Sequence, residues 1–169
     1  MGVPAPASTP EFLVKLIGEK YKLDLVAAPY RGSAPMMADM LGNQIAAGTG
    51  SVPDFIENHR AGKLKVLGVL GRERQAVLPE VPTFLEMGVT GFEDVPYYGI
   101  FAPKGVAAGF ISEFGAAMAK VLAQAPVREQ MARMGLAPGY MSAAQLGERE
   151  RAYTSVWTQI IRSKGFAPQ

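Results

Sequence analysis

Apolar residues recur at helical spacing in the first ordered stretch, where Phe12, Leu13, Leu16 and Ile17 share a face and predict a helix from about Thr9 to Lys20. Leu23 to Ala28 follows as a short apolar strand. The pattern then repeats with a helix from about Ala34 to Leu41 closed by Gly42, a strand from Gln44 to Thr49, and a helix from about Val52 to Ala61 stopped by Gly62. Leu64 to Leu70 is apolar on both faces, which predicts a buried central strand. A polar loop from Arg72 to Pro79, a short helix near Thr83 to Met87 ended by Gly88, and an aromatic strand from Val95 to Ala102 complete this half.

Such alternation predicts an α/β fold with a mostly parallel sheet. After the Pro103-Lys104-Gly105 turn the pattern becomes purely helical, with segments over about Ala107 to Ala123, Pro126 to Met134 and Ala143 to Ser163, and with Gly135 and Gly165 as stops. The domain boundary is therefore placed between residues 98 and 99. Residues 1–98 form an α/β lobe, and residues 99–169 form a return segment followed by C-terminal helices.

Composition narrows the function classes. At 169 residues, 49% hydrophobic and 19% charged, the chain carries enough apolar surface for one full domain and part of a second. Net charge is +2 and no stretch concentrates it, so no nucleic-acid footprint is expected. The absence of cysteine excludes a disulfide framework, zinc-thiolate sites and thiol catalysis. No apolar run approaches the roughly 20 residues needed to insert in a membrane. Met1 to Pro10 has neither the basic start nor the apolar core of an export signal, and reads as a trimmed linker.

Catalytic chemistry is scarce. The single histidine, His59, falls near a helix end whose Phe55 and Ile56 face inward, which is a surface position rather than that of a general base. One histidine without cysteine makes no usual metal cluster, so neither metal nor cofactor is expected. Gly48-Thr49-Gly50-Ser51 resembles a phosphate-binding turn but lacks a following lysine and the Walker or dinucleotide glycine spacing. Glu93 and Asp94 read as a solvated loop, and Tyr97 and Tyr98 as an aromatic pair divided between core and surface or lining a cleft.

The distinctive chemistry lies at three helix starts. Ser8-Thr9-Pro10-Glu11, Ser33-Ala34-Pro35 and Ser51-Val52-Pro53-Asp54 each place a hydroxyl at the cap and a proline in the first turn. Helix capping explains this, because serine or threonine accepts first-turn amide protons and proline needs no acceptor there; two of the three even have capping-box spacing. A functional reading is equally compatible. In parallel α/β sheets these loops gather at the carboxyl ends of strands, where amides and helix dipoles favour an anion. Arg31, between Tyr30 and Gly32, is the one cation inside such a loop and is suited to a carboxylate.

Particular motifs then carry a family resemblance. Ala28-Pro29-Tyr30-Arg31-Gly32-Ser33-Ala34-Pro35, Asp39-Met40-Leu41-Gly42-Asn43-Gln44-Ile45 and Ala61-Gly62-Lys63-Leu64-Lys65-Val66-Leu67 resemble the extracytoplasmic solute receptors of tripartite tricarboxylate transporters, the Bordetella uptake gene or TctC family. Leu78-Pro79-Glu80-Val81-Pro82-Thr83 matches that family's proline signature and Tyr98-Gly99-Ile100-Phe101-Ala102-Pro103-Lys104-Gly105 its return segment. The likeness extends over nearly the whole chain, through Val127-Arg128-Glu129 and Ala143 to Lys164.

The resemblance implies a type II periplasmic-binding-protein fold of two lobes that pinch a small carboxylate and hand it to membrane permease subunits, with no reaction catalysed and a periplasmic location. By position it puts ligand contacts on Ser8 and Thr9, on Tyr30, Arg31, Gly32, Ser33 and Ala34, and on Thr49, Gly50 and Ser51. Family members generally begin with an export signal and half of a first lobe. The chain is accordingly expected to be a fragment that starts near the second lobe and lacks one jaw. Many members carry an acid where Gly50 stands, which implies a preference shifted away from amino acids. Two rival classes remain open: the effector domain of a bacterial transcription regulator, and a small hydrolase or transferase using the hydroxyl loops.

Overall fold

A computed structural model describes residues 1–91, 93 and 97–163, the last by its backbone alone. Asp94, half of the acidic pair noted above, the first part of the expected 95–102 strand and the Gly165 stop lie outside these residues. The chain divides into two compact units, the first comprising Met1–Glu93 and the second lying within Asp94–Ala167.

In the first unit the elements are β1 (Gly2–Val3), α1 (Thr9–Tyr21), β2 (Ala28–Pro29), α2 (Ser33–Leu41) and α3 (Val52–Arg60). β1 pairs in parallel with β2, Gly2 opposite Ala28 and Val3 opposite Pro29. On its other side Gly2 bridges Gly48, again in parallel. β1 therefore lies between the segments that lead into α2 and α3. Small residues permit this: a Cβ at Gly2 would stand 2.7 Å from Met36 Cγ, and one at Gly48 would stand 2.6 Å from Met40 Sδ. The two methionines of α2 thus lie directly against the strand backbones, and Met36 is fully buried.

A second layer of packing joins α3 to the later loops. Ile56, Val69, Leu78 and Val81 form a buried cluster with half-buried Val52, Val66 and Val77 around it. Val69 bridges Thr83 in parallel, its amide donating to Pro82 O and its carbonyl accepting from Phe84 N.

The expected parallel pairing is present, but the strands are much shorter than the apolar runs suggested. Leu23 to Val26 forms no ladder among the described residues; Leu25 N donates locally to Leu23 O, and Val26 is 71% exposed. Leu64 to Leu70 is not a buried central strand, because Leu67 is 66% exposed and only Val69 pairs. Apolar content marks a segment able to join a sheet, whereas a partner strand on each side decides whether it does. The expected helix at Thr83 to Met87 is a turn, closed by Gly88 N to Leu85 O and Val89 N to Phe84 O.

The second unit contains α4 (Ala108–Leu122), α5 (Ala125–Arg133) and α6 (Ala143–Ser163). Gln145 accepts hydrogen bonds from both the amide and the hydroxyl of Ser142, fixing the entry to α6. Tyr153 packs edge-on against Tyr97 at 5.6 Å and tilted against Trp157 at 6.0 Å, and Arg149 lies over the Tyr97 ring. Residues 97–102 have no regular structure, and Tyr98 is 72% exposed rather than strand-packed. α4 buries none of its side chains; Phe110 and Phe114 stack on each other at 6.1 Å and stay exposed.

Candidate functional site

The pairing order of the first unit gathers three helix starts at one edge. β1 leads to α1, β2 to α2 and Gly48 to α3, and all three segments run parallel, so their carboxyl ends and the following loops are neighbours. Backbone hydrogen bonds continue the alignment past the strands: Thr49 N donates to Gly2 O, Tyr30 N to Val3 O and Gly32 N to Pro4 O. The loops carrying Ser8 and Thr9, Tyr30 to Ala34, and Thr49 to Ser51 are thereby brought to one side of the unit. In these first turns Pro35 and Pro53 carry no amide proton and Asp54 N donates to Ser51 O, which leaves the Ser33, Ala34 and Val52 amides as the donors of the α2 and α3 starts; the helix dipoles add positive potential at the same edge.

The hydroxyls do not cap as their spacing suggested. Ser8 and Ser51 occupy N-cap positions without a side-chain cap hydrogen bond. Ser8 Oγ instead donates back to Ala5 O at 2.6 Å, while Glu11 accepts from Ala7 N and pairs with Lys15. The Lys15 contact holds the Glu11 carboxyl below the ordinary range, aided by the Ala7 amide and opposed by desolvation. α2 starts one residue early: Gly32 is its N-cap and Ser33 its first helical residue. Gly32 has φ 101° and ψ 175°, a region that effectively only glycine enters, and nothing lies within 4 Å of its Cβ direction. Conformation, not space, requires the glycine.

Two carboxylates that the sequence did not mark as site residues bind two predicted donors. Tyr30 Oη donates to Asp39 Oδ2 at 2.7 Å, which raises the phenol above its ordinary range, with partial burial adding to the effect. Ser33 Oγ donates to Asp54 Oδ2 at 2.7 Å, linking the first turn of α2 to that of α3. Asp54 was visible only as a capping-box partner of Ser51; a contact spanning 21 positions leaves no local sequence signal. A Cβ at Gly50 would lie 3.1 Å from Phe55 Cε2 and 3.7 Å from Asp54 Oδ2, so the loop without an acid at 50 still has one alongside. Arg31, Gly32 and Ala34 are exposed, and Thr9, Thr49 and Gly50 half-buried.

Other candidate chemistry resolves into structural contacts. His59 Nδ1 accepts from Val66 N at 3.3 Å, which places the ring proton on Nε2, facing Glu80 Oε1 at 3.2 Å. Glu93 receives the Gly91 amide on both oxygens. Among the described residues no group of three or more His, Cys, Asp or Glu is placed to hold a metal, and no helix is long and apolar enough to cross a membrane.

Comparison with known proteins agrees with this architecture. Residues 2–166 match the model of the tripartite tricarboxylate transporter family receptor. The chain is 30% identical over 147 residues to a UPF0065 protein of the tcbD-tcbE intergenic region of Pseudomonas sp. strain P51, covering 86% of this chain and 44% of that protein. It is 30% identical over 154 residues to Protein BugT of Bordetella pertussis, covering 89% and 47%. The chain thus spans about half the length of the curated relatives it matches. Among solved structures, Rpa4515 of R. palustris with adipate superposes with a TM-score of 0.91 at 26% identity, covering 99% of this chain and 56% of that one. MatC (Rpa3494) of Rhodopseudomonas palustris with bound malate gives 0.75 at 26%, covering 92% and 55%. By the match over nearly its whole length, the chain belongs to the tripartite tricarboxylate transporter receptor family.

Proposed function

We propose that this chain supplies the anion-binding platform of a periplasmic solute receptor, which captures a small di- or tricarboxylate or related organic acid and presents it to the membrane permease subunits of a tripartite tricarboxylate transporter. The observation that carries this reading is the convergence of three helix starts at the carboxyl edge of parallel segments, with β1 between the other two. Adipate and malate in two similar structures support a carboxylate as the guest. The mechanism is capture by preorganised dipoles: the helix starts of α1, α2 and α3 face the anion with the amides that proline and the N-cap carbonyls leave available, and Thr49, Ser51 and Arg31 add side-chain donors. No bond is made or broken. Ser8, Tyr30 and Ser33 contribute mainly by holding the loops, since their hydroxyl protons are engaged within the protein.

Amide chemical shifts followed during titration with adipate, malate and citrate, with a neutral sugar and an alkyl amine as controls, test the proposal. Carboxylates should move the amides near residues 9, 34 and 52 in a saturable way. Saturable shifts with the sugar or the amine, and none with any carboxylate, would overturn it.

A further inference from the structure

We propose that His59 is a proton-operated latch: when neutral, its ring ties the returning chain at Val66 to the C-terminal turn of α3, and protonation releases Val66 while the ring stays on Glu80. No ligand enters this device, so it holds independently of the receptor reading. Its geometry is set by how the chain leaves α3. Gly62 N donates to His59 O and Lys63 N to Asn58 O, both at 2.9 Å, and Gly62, with φ 67°, turns the backbone back along the helix. The Val66 amide is thereby brought to the histidine ring, where it donates to Nδ1 at 3.3 Å. The other ring nitrogen, Nε2, faces Glu80 Oε1 at 3.2 Å.

These two contacts demand one tautomer. A neutral imidazole has one donor and one acceptor nitrogen, and an imidazolium has two donors. The Val66 amide only donates and the Glu80 carboxylate only accepts, so both contacts coexist when the ring proton is on Nε2 and Nδ1 is bare. An added proton goes to Nδ1 and sets two donors against each other. The charged ring is then held at its other nitrogen by Glu80, and the last carbonyls of α3 also favour a cation, so Val66 is the contact that gives way. Glu80 suits that role, because its own amide first and His59 next hold its carboxyl below the ordinary range. Of the other charged groups on the elements packed here, Arg60 pairs with Glu57 on α3 itself, Arg74 binds Glu86 and Pro79 O, and Lys63 and Lys65 of the returning chain are exposed. The release is local, since Ile56, one turn back along α3, stays packed with Val69, Leu78 and Val81.

The protein has a single histidine, so its ring resonances report the latch without ambiguity. In the full chain, ring nitrogen shifts above the imidazole titration range should give the tautomer with the proton on Nε2. As the ring takes up its second proton, the hydrogen-exchange protection factor of the Val66 amide should fall about tenfold, the weight of one ordinary hydrogen bond. Val69 N, which donates to Pro82 O, is the internal reference and should keep its protection. His59→Asn places a carbonyl oxygen near the position of Nδ1 and cannot titrate, and should make Val66 protection independent of pH. A neutral ring with its proton on Nδ1, Val66 protection unchanged across the ring titration, an equal loss at Val69, or a fall that persists in His59→Asn would each overturn the inference.

Discussion

Thr83 and Glu86 cap each other: Thr83 N donates to Glu86 Oε2 at 2.7 Å and Glu86 N donates to Thr83 Oγ1 at 3.0 Å, although the segment they head is a turn and not a helix. Thr83 is fully buried, and Arg74 grips the Glu86 carboxylate from the solvent side through Nε and Nη2. Arg74 first, and the Thr83 amide next, lower the Glu86 carboxyl to about 2. A depressed carboxyl favours folding above its unfolded value and loses that contribution as pH falls toward the folded one. Thermal melts should therefore show the protein more stable than Glu86→Gln at neutral pH, with the two curves converging between about pH 4.5 and about 2. A gap that stays constant down to pH 2 would mean the carboxylate charge is not what the turn uses.

Gly32 and Gly109 both have open space where a Cβ would go, yet the same substitution should act in opposite directions. At Gly32, φ 101° makes any side chain strained, and Gly32→Ala should cost about 1–3 kcal/mol. Gly109 lies in the first turn of α4 with no unusual φ, where alanine is the better helix former by up to about 1 kcal/mol. Denaturant midpoints of the two variants decide it; a loss at Gly109 or none at Gly32 would contradict the assigned conformations.

How far these features were legible in the sequence depends on whether their causes are local. The bounds of α1 and α3 follow from Pro10, Pro53 and Gly62, each acting within a few residues, so periodicity and punctuation locate them closely. Apolar content overextends the strands because Leu23 to Val26 and Leu64 to Leu67 look apolar whether or not a neighbour pairs with them. At the site, the three converging loops could be named from their Ser-x-Pro pattern, but the use of each hydroxyl could not. Ser8 turns back to Ala5, and Ser33 crosses to Asp54; only the folded arrangement sets those partners.

Ile56 anchors the second packing layer and is 1% exposed, surrounded by Val69, Leu78 and Val81. Ile56→Ala should lower unfolding free energy by about 2–5 kcal/mol, the cost of lost burial plus an unfilled cavity. Urea unfolding followed by circular dichroism measures it. A loss below about 1 kcal/mol would show that α3 is not held to the later loops through this residue.

Tyr30 provides a sharper test of how the site loops are held. Its hydroxyl proton is given to Asp39, so ionising the phenol would set two negative groups 2.7 Å apart, and the hydrogen bond accordingly holds the phenol above its ordinary range. A raised value contributes stability that is present below the unfolded pKa and is lost as pH climbs through the folded one. In ultraviolet titration of the six tyrosines, Asp39→Asn should move one late-ionising phenol to lower pH. Tyr30→Phe should then remove an alkaline transition while leaving carboxylate affinity little changed, because that hydroxyl has no proton to give a ligand. A large affinity loss in Tyr30→Phe, with the fold intact, would instead mean that the phenol leaves Asp39 when the anion arrives.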